Sequence, residues 1–65
     1  MRSLKQANDY IAKRVGDGLR MYKGEGYFYF DAVVGLPPES IYTNSIKYVT
    51  QDDIDVAIAA FQATG

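Results

Sequence analysis

Aromatic and cationic side chains are interleaved near the middle of the sequence, and their chemistry is that of binding. They are Arg20, Tyr22, Tyr27 and Tyr29, with Lys47 as a further cation later in the chain. Tyrosine rings on an open sheet can stack on unpaired bases. Tyrosine and arginine are also enriched at the centres of protein–protein interfaces. The pattern therefore leaves three interpretations open: a protein interface, a single-stranded nucleic-acid site, or surface without a partner.

The stretch KGEG, residues 23–26, places two glycines around an acid, and glycine-rich loops can cradle a phosphate. This stretch lacks the Gly-Lys-Ser/Thr of such a loop. It also precedes a segment of strand character, so no helix N-terminus points at an anion. We therefore interpret it as a hairpin turn.

Asp52, Asp53 and Asp55 form an acidic cluster whose carboxylates could hold a divalent metal or transfer protons. The spacing and the glycine of an EF-hand loop are missing, and the first turn of a helix favours acids because of the helix dipole. We interpret the cluster as a helix N-terminus and predict neither a metal nor a cofactor.

Histidine and cysteine are both absent from the 65 residues. This absence removes the Ser-His and Cys-His pairs that activate most nucleophiles. Ser40, Thr43 and Ser45 have no base at a persuasive spacing, so we expect a protein that is not an enzyme.

Charge and hydropathy limit the class of protein further. Seven Lys and Arg residues nearly balance eight Asp and Glu residues, unlike the composition of a strongly basic nucleic-acid-binding protein. The apolar runs are far shorter than a membrane span, and the first ten residues are too polar for a secretory signal. We expect one small soluble domain over residues 1–65, cytoplasmic and without a membrane partner.

The first helix is predicted over residues 4–15. Ser3 and Gln6 form a capping box ahead of an apolar stripe, and Gly16 follows a basic last turn.

The second helix begins after Thr50, with Asp53 at the third helical position in place of the usual Glu or Gln. Val49 and Ile54 are spaced as a hydrophobic staple. Its apolar stripe continues until the helix ends at Thr64-Gly65.

A hairpin is predicted between residues 19–23, which alternate apolar and polar residues, and residues 27–34, which are aromatic and β-branched. A three-residue turn would place Met21 beside Tyr29 and mix the two faces, whereas Glu25-Gly26 as a two-residue turn keeps the faces separate. We predict the second register. Its pairs are Leu19 with Ala32, Arg20 with Asp31, Met21 with Phe30 and Tyr22 with Tyr29. The Arg20–Asp31 pair is worth roughly 0.2–1 kcal/mol.

Residues 35–39 contain Pro37-Pro38 and are predicted to be a loop. Residues 40–44 are predicted to be a short third strand, antiparallel to the second, and residues 45–49 either extend it past a bulge or form an irregular connector. The order α-β-β-β-α then predicts an α+β fold in which a three-stranded antiparallel sheet carries both helices on one face.

The two faces of this sheet differ in chemistry. The predicted core consists of Leu4, Ala7, Ile11, Val15, Leu19, Met21, Phe28, Phe30, Ile54, Ala57, Ile58 and Phe61. The opposite, open face carries the predicted binding residues Arg20, Tyr22, Tyr27, Tyr29 and Asp31.

Three segments, LKQANDYIA, LRMYKGEGYFYF and SIYTNSIKYVTQDDID, together resemble a family of small uncharacterised proteins of phages, prophages and their bacterial hosts. That family has an ANxYI-like helical start, a GYFYF-like hairpin, a Ser-Val-Tyr-Val-like strand and a terminal helix that begins with Leu-Thr. The resemblance covers nearly the whole chain and is most specific over residues 24–30. The chain departs from the family at Ile54, where tryptophan is expected, and at Pro37-Pro38.

The resemblance implies a phage-related accessory protein and supplies no biochemical activity. Together with the small size and the open tyrosines, it leads us to expect a protein that binds a host or phage protein. The concrete form of this hypothesis is steric occlusion of a host antiviral defence factor. A single-stranded nucleic-acid-binding module and a homodimer that buries the open face are the alternatives.

Overall fold

The computed structural model describes residues 1–64, which fold into two helices and one antiparallel hairpin, an α+β arrangement. Its elements are α1 at Leu4–Val15, β1 at Leu19–Lys23, β2 at Phe28–Ala32 and α2 at Gln51–Thr64. A 3₁₀ turn, Gly16–Gly18, joins α1 to β1, and a second, Ile46–Tyr48, precedes α2. Gly65, part of the predicted end of the second helix, lies outside the described residues.

Side-chain caps fix the start of α1. The Oγ atom of Ser3 accepts the N–H of Gln6 at 3.0 Å, as the capping box predicts. The Gln6 Oε1 atom accepts the N–H of Arg2 at 2.6 Å rather than that of Ser3, so the reciprocal bond reaches one residue further back. Gly16 ends the helix with φ at 65°, and the predicted bounds of residues 4–15 are confirmed.

The start of α2 is a complete capping box with aspartate in the glutamate position. The Thr50 N–H donates to Asp53 Oδ2 at 3.0 Å, and the Asp53 N–H donates to Thr50 Oγ1 at 3.1 Å. Val49 and Ile54 are both fully buried in the core. The predicted cap and staple residues therefore anchor α2 at its first turn.

The hairpin has the predicted two-residue register. Its observed pairs are Leu19 with Ala32, Arg20 with Asp31, Met21 with Phe30, Tyr22 with Tyr29 and Lys23 with Phe28. The Gly24 N–H donates to the Tyr27 carbonyl at 2.8 Å across the turn. Gly26 adopts φ of 78°, a conformation that side chains with a Cβ rarely take, so the turn requires glycine there.

The predicted three-stranded sheet is wrong. Among the described residues, the segment after Pro38 meets β2 only at an isolated bridge, where Phe28 and Ile41 exchange two backbone hydrogen bonds of 2.8 Å. Pairing is limited in both directions from the bridge, because residues 42–44 would lie opposite the hairpin turn at residues 25–27, and because the prolines precede the bridge on the other side. Extending the bridge along β2 would set Pro37 opposite Ala32, and Pro37 has no N–H to donate. Proline also holds φ near about −65°, far from the roughly −140° of an antiparallel strand.

Residues 45–49 form the irregular connector that the sequence leaves open as one of two outcomes. Ile46–Tyr48 is a 3₁₀ turn whose first N–H groups are partly satisfied by Ser45, since its Oγ accepts the Lys47 N–H at 3.4 Å. Val49 then enters the core and directs the chain into α2.

The outer edge of β1 is covered by a side chain of α1. The Met21 N–H donates to Asn8 Oδ1 at 2.8 Å, and Asn8 Nδ2 donates to the Met21 carbonyl at 3.0 Å. The Asn8 amide thus makes the two hydrogen bonds that a neighbouring strand would make. It satisfies backbone groups of an edge that could otherwise pair with another chain. The same two bonds fix α1 against the hairpin.

The core lies between the two helices and the inner face of the hairpin. Its buried members are Ala7, Ile11, Leu19, Met21, Phe28, Phe30, Val49, Ile54, Ala57 and Ile58. Apart from Val49, all belong to the predicted core. The predicted core residues Leu4, Val15 and Phe61 are partly buried and pack at its margin.

Candidate functional site

Alternation along the hairpin divides its aromatic residues between two faces. Phe28 and Phe30 point into the core, while Tyr27 and Tyr29 lie on the opposite face with Tyr22. The exposed fractions are 37% for Tyr22, 36% for Tyr27 and 40% for Tyr29. The structure therefore brings the three predicted binding tyrosines together on one open face.

These rings form part of a longer row, which we call the tyrosine row: Tyr22, Tyr29, Tyr27 and Tyr42. The ring centroids of Tyr22 and Tyr29 are 5.6 Å apart with the planes inclined by 26°. Tyr27 lies 6.0 Å from Tyr29 and 6.3 Å from Tyr42. Such offset and tilted pairs are favourable aromatic geometries, so the rings hold one another in place.

Tyr42 is the member of the row that the sequence analysis omits. The Phe28–Ile41 bridge places the next residue, Tyr42, beside Tyr27. Its side chain is 82% exposed. The sequence shows that Ile41 and Tyr42 alternate as an apolar and an aromatic residue, but the position of Tyr42 beside Tyr27 depends on the bridge.

The hairpin turn positions Tyr27. Its ring lies over Gly24, where a Cβ would approach the ring atoms to between 2.4 and 2.7 Å. The bond from the Gly24 N–H to the Tyr27 carbonyl closes the same contact from the backbone side. The KGEG stretch therefore positions one ring of the aromatic face, because the Tyr27 ring packs over Gly24.

Arg20 and Asp31 occupy one end of the open face and are register partners. Both side chains are exposed. In the part of the chain described, their charged groups do not come within the 4.0 Å of an ion pair. The Lys5 ammonium, bonded to Asp9 at 2.8 Å, lowers the pKa of the Asp9 carboxyl, and the charge of Arg20 acts in the same direction.

Lys47 belongs to a separate contact. Its Nζ atom lies 5.2 Å from the ring centroid of Tyr48, an exposed residue of the 3₁₀ turn before α2. This is a cation–π arrangement. Tyr48, which is 63% exposed, is therefore an exposed tyrosine whose contact lies outside the tyrosine row.

The acidic residues at the start of α2 have partners of their own. Asp53 caps the helix. Asp55 accepts a hydrogen bond of 2.5 Å from the Tyr10 hydroxyl, which raises the pKa of Tyr10, while the Arg14 guanidinium over the Tyr10 ring opposes the rise. Within residues 1–64, His, Cys, Asp and Glu side chains do not form a group of three that could hold a metal ion.

Two apolar surface features lie elsewhere. The loop after β2 exposes Val33, Val34 and Leu36. A shallow groove of about 440 Å³ lies between the 38–41 segment and α2, with Ile41, Val56 and Ala60 among its walls. The groove is lined by other residues than the tyrosine row.

Comparison with protein-family models, with curated proteins and with solved structures gave no match. In the described residues, the helices are too short and too polar to cross a bilayer.

Proposed function

We propose that the chain is a small non-catalytic accessory protein that binds a partner protein through the tyrosine row. The observation that supports this most is the row itself: four tyrosines in mutual contact on an open face, in a chain of 65 residues. Tyrosine presents a large rigid surface with a polar hydroxyl at its tip, and its two side-chain torsions cost little entropy to fix. The ring–ring contacts preorganise the face, which lowers the cost of binding.

A protein partner suits the charges around the row better than a phosphate backbone does. Arg20 is balanced by Asp31, and the chain as a whole carries a net charge of −1. Binding to nucleic acid depends on a surplus of cations that displace counterions. A face of neutral aromatics with one charge of each sign resembles the composition of a protein interface core and its rim.

The proposed mechanism is steric occlusion. The resemblance to phage and prophage proteins suggests a host protein as the partner, and a component of an antiviral defence system is the concrete candidate. Such a partner acts in the cytoplasm, where we place the protein. The exposed side chains of Val33, Val34 and Leu36 enlarge the surface that can contact a bulky partner.

Binding of single-stranded nucleic acid is the second candidate, and the spacing of the rings favours it. Centroid separations of 5.6 to 6.3 Å along the row would let successive bases of an extended strand find successive rings. This candidate requires an affinity that falls steeply with salt and is lost on Arg20→Ala. The absence of a gel shift with an oligonucleotide at low salt would exclude it.

The test of the first candidate is affinity purification from the native host with mass spectrometry of what is retained. Tyr22→Ala and Tyr29→Ala remove neighbouring rings of the row and are expected to abolish retention of the specific partner. Tyr48→Ala is the matched control, because it removes an exposed tyrosine that lies in a different contact. If the two row variants keep their fold by circular dichroism and still retain the partner as Tyr48→Ala does, the row is not the binding face.

A further inference from the structure

We propose that the tyrosine row also binds a second copy of itself, in a two-fold symmetric dimer in which Arg20 of each copy pairs with Asp31 of the other. This inference rests on the proposed function and deepens it, because it names the molecule that occupies the face when the partner protein is absent. The dimer would regulate the row by covering it.

The charges on the open face are self-complementary. Arg20 and Asp31 sit opposite each other at one end of the hairpin, one of each sign, and they do not form an ion pair with each other inside the chain. An isologous interface requires that residue i contacts residue j while j contacts i. One exposed cation and one exposed anion at paired positions satisfy that condition without any net repulsion between the copies.

The register supplies the geometry. A two-fold axis that runs parallel to the strands, midway between β1 and β2, exchanges the two strands of the facing hairpin. This operation sets Arg20 over Asp31 of the other copy and Tyr22 over Tyr29 of the other copy, because each is a cross-strand pair. The two hairpins then stack face to face with their strands aligned, a common way in which sheets pack.

The available area fits a weak dimer. Tyr42 lies beyond β2 on the side away from β1, so the two-fold axis carries it past the edge of the facing hairpin. The exposed parts of Tyr22, Tyr27 and Tyr29 amount to roughly 250 Å² if a whole side chain offers about 200–250 Å². With Arg20 and Asp31 the patch reaches about 450 Å² per copy, so a dimer buries about 900 Å², in the range of weak and transient interfaces. A dimer of this size dissociates on dilution, and a partner protein competes for the released face.

Sedimentation velocity of charge-reversal variants tests the proposal. Arg20→Asp leaves two acids at this end of the face, and Asp31→Arg leaves two cations, so each variant repels its own kind. Since each reversal acts at both symmetric contacts, we expect a dimerisation constant about tenfold weaker than that of the natural chain. An equimolar mixture of the two variants is expected to sediment as a heterodimer near twice 7.2 kDa, because each Asp then faces an Arg.

The mixture separates a contact between copies from a contact within one chain. If charge reversal acted only within one hairpin, adding the second variant would not restore dimerisation. If it acts across the interface, the second variant supplies the opposite charge and restores dimerisation. Tyr48→Ala is expected to dimerise like the natural chain, and circular dichroism checks that each variant is folded. A natural chain that stays monomeric at millimolar concentration overturns the proposal, as do reversal variants that dimerise unchanged. Either result leaves the proposed function standing if Tyr22→Ala still abolishes partner retention, so the two can fail separately.

Discussion

The ring of Tyr27 lies so close to Gly24 that no side chain fits between them: a Cβ on Gly24 would come to 2.4 Å from the ring Cζ atom. Gly24 is not among the glycines with positive φ, which are Gly16, Gly26 and Gly35. Its backbone would therefore accept alanine, and the need for glycine arises from the ring. This one contact links the turn to the position of a ring in the tyrosine row.

Gly24→Ala is expected to destabilise the chain by about 0.5–1.5 kcal/mol, because the methyl group must displace the Tyr27 ring from its contacts with Tyr29 and Tyr42. In a Tyr27→Ala background the clash disappears, and the same substitution is expected to stabilise by about 0.4–1 kcal/mol through lower entropy of the unfolded chain. A double-mutant cycle measures this coupling. It compares the free energy of urea unfolding of the natural chain, both single variants and the double variant. An equal effect of Gly24→Ala in both backgrounds would contradict the role of the ring.

Asn8 is expected to be essential for the edge of β1. Asn8→Ala leaves the N–H and the carbonyl of Met21 without their partner, at a cost of about 1–3 kcal/mol for each group that remains dry. Asn8→Asp keeps the shape and still accepts the Met21 N–H, but its ionised carboxylate cannot donate to the carbonyl. We therefore expect the aspartate variant to be destabilised at neutral pH and partly rescued below about pH 4, where a protonated carboxyl donates again.

Denaturant unfolding at neutral pH and below about pH 4 measures how much stability Asn8→Asp regains relative to the natural chain. Lys5→Ala provides a control on the same helix, since its ion pair with Asp9 is fully exposed and contributes little to stability. A uniform loss of stability with falling pH in Asn8→Asp, parallel to the natural chain, would show that donation to Met21 is unimportant.

Met21 points into the core and Tyr22 points outward, so alanine substitutions at these neighbouring positions are expected to cost different amounts of stability. Met21 is fully buried, so Met21→Ala is expected to cost about 2–5 kcal/mol. Tyr22→Ala changes the exposed face, and we expect a loss of about 0.5–1.5 kcal/mol from its stacked contact with Tyr29. Equal losses for the two would contradict the register, and thermal unfolding followed by circular dichroism is sufficient to compare them.

Local signals in the sequence were enough to predict the helices and the hairpin. Ser3 and Thr50 each begin a helix because their side chains replace missing backbone partners, and that requirement depends on nearby residues alone. The register followed from burial, since only a two-residue turn keeps Met21 and Phe30 on one face. The three tyrosines of the hairpin then fell together on the other face.

The third strand and the fourth tyrosine depended on contacts between distant segments. Residues 40–44 have strand composition, but the bridge register sets residues 42–44 opposite the hairpin turn, and Pro37-Pro38 limits pairing along β2 in the other direction. Tyr42 joins the row through the single bridge at Ile41, which propensity alone does not specify. The bond between Asn8 and Met21 likewise depends on how α1 packs, so the sequence pattern gave no sign of it.

Replacing both prolines is expected to lengthen the third strand. In Pro37→Thr/Pro38→Thr the segment regains an N–H opposite Ala32 and the freedom to adopt strand torsions, so pairing can spread from Ile41 towards residue 37. Amide hydrogen exchange is expected to show greater protection at Phe30 and Glu39, the next pair along the bridge. Leu36→Ala is a control that alters an exposed residue of the same loop without adding a donor. Unchanged exchange in the threonine variant would mean that something other than proline stops the strand.

The bond between Tyr10 and Asp55 gives a pH dependence whose sign can be stated. The Asp55 carboxylate accepts from the hydroxyl and raises the pKa of Tyr10, so the folded chain holds this proton more tightly than the unfolded chain. The contribution to stability is complete below the ordinary tyrosine pKa of about 10 and disappears as the pH rises through the raised value.

The natural chain is therefore expected to lose stability above about pH 10 more steeply than Tyr10→Phe, which has no hydroxyl to ionise. Asp55→Asn removes the charge while keeping an acceptor oxygen, so its Tyr10 is expected to titrate at lower pH than in the natural chain. Because the chain has six tyrosines, the Tyr10 titration is read as the difference in tyrosinate absorbance between each chain and the same chain with Tyr10→Phe. Parallel stability curves for the natural chain and Tyr10→Phe would show that the link between α1 and α2 does not depend on this proton.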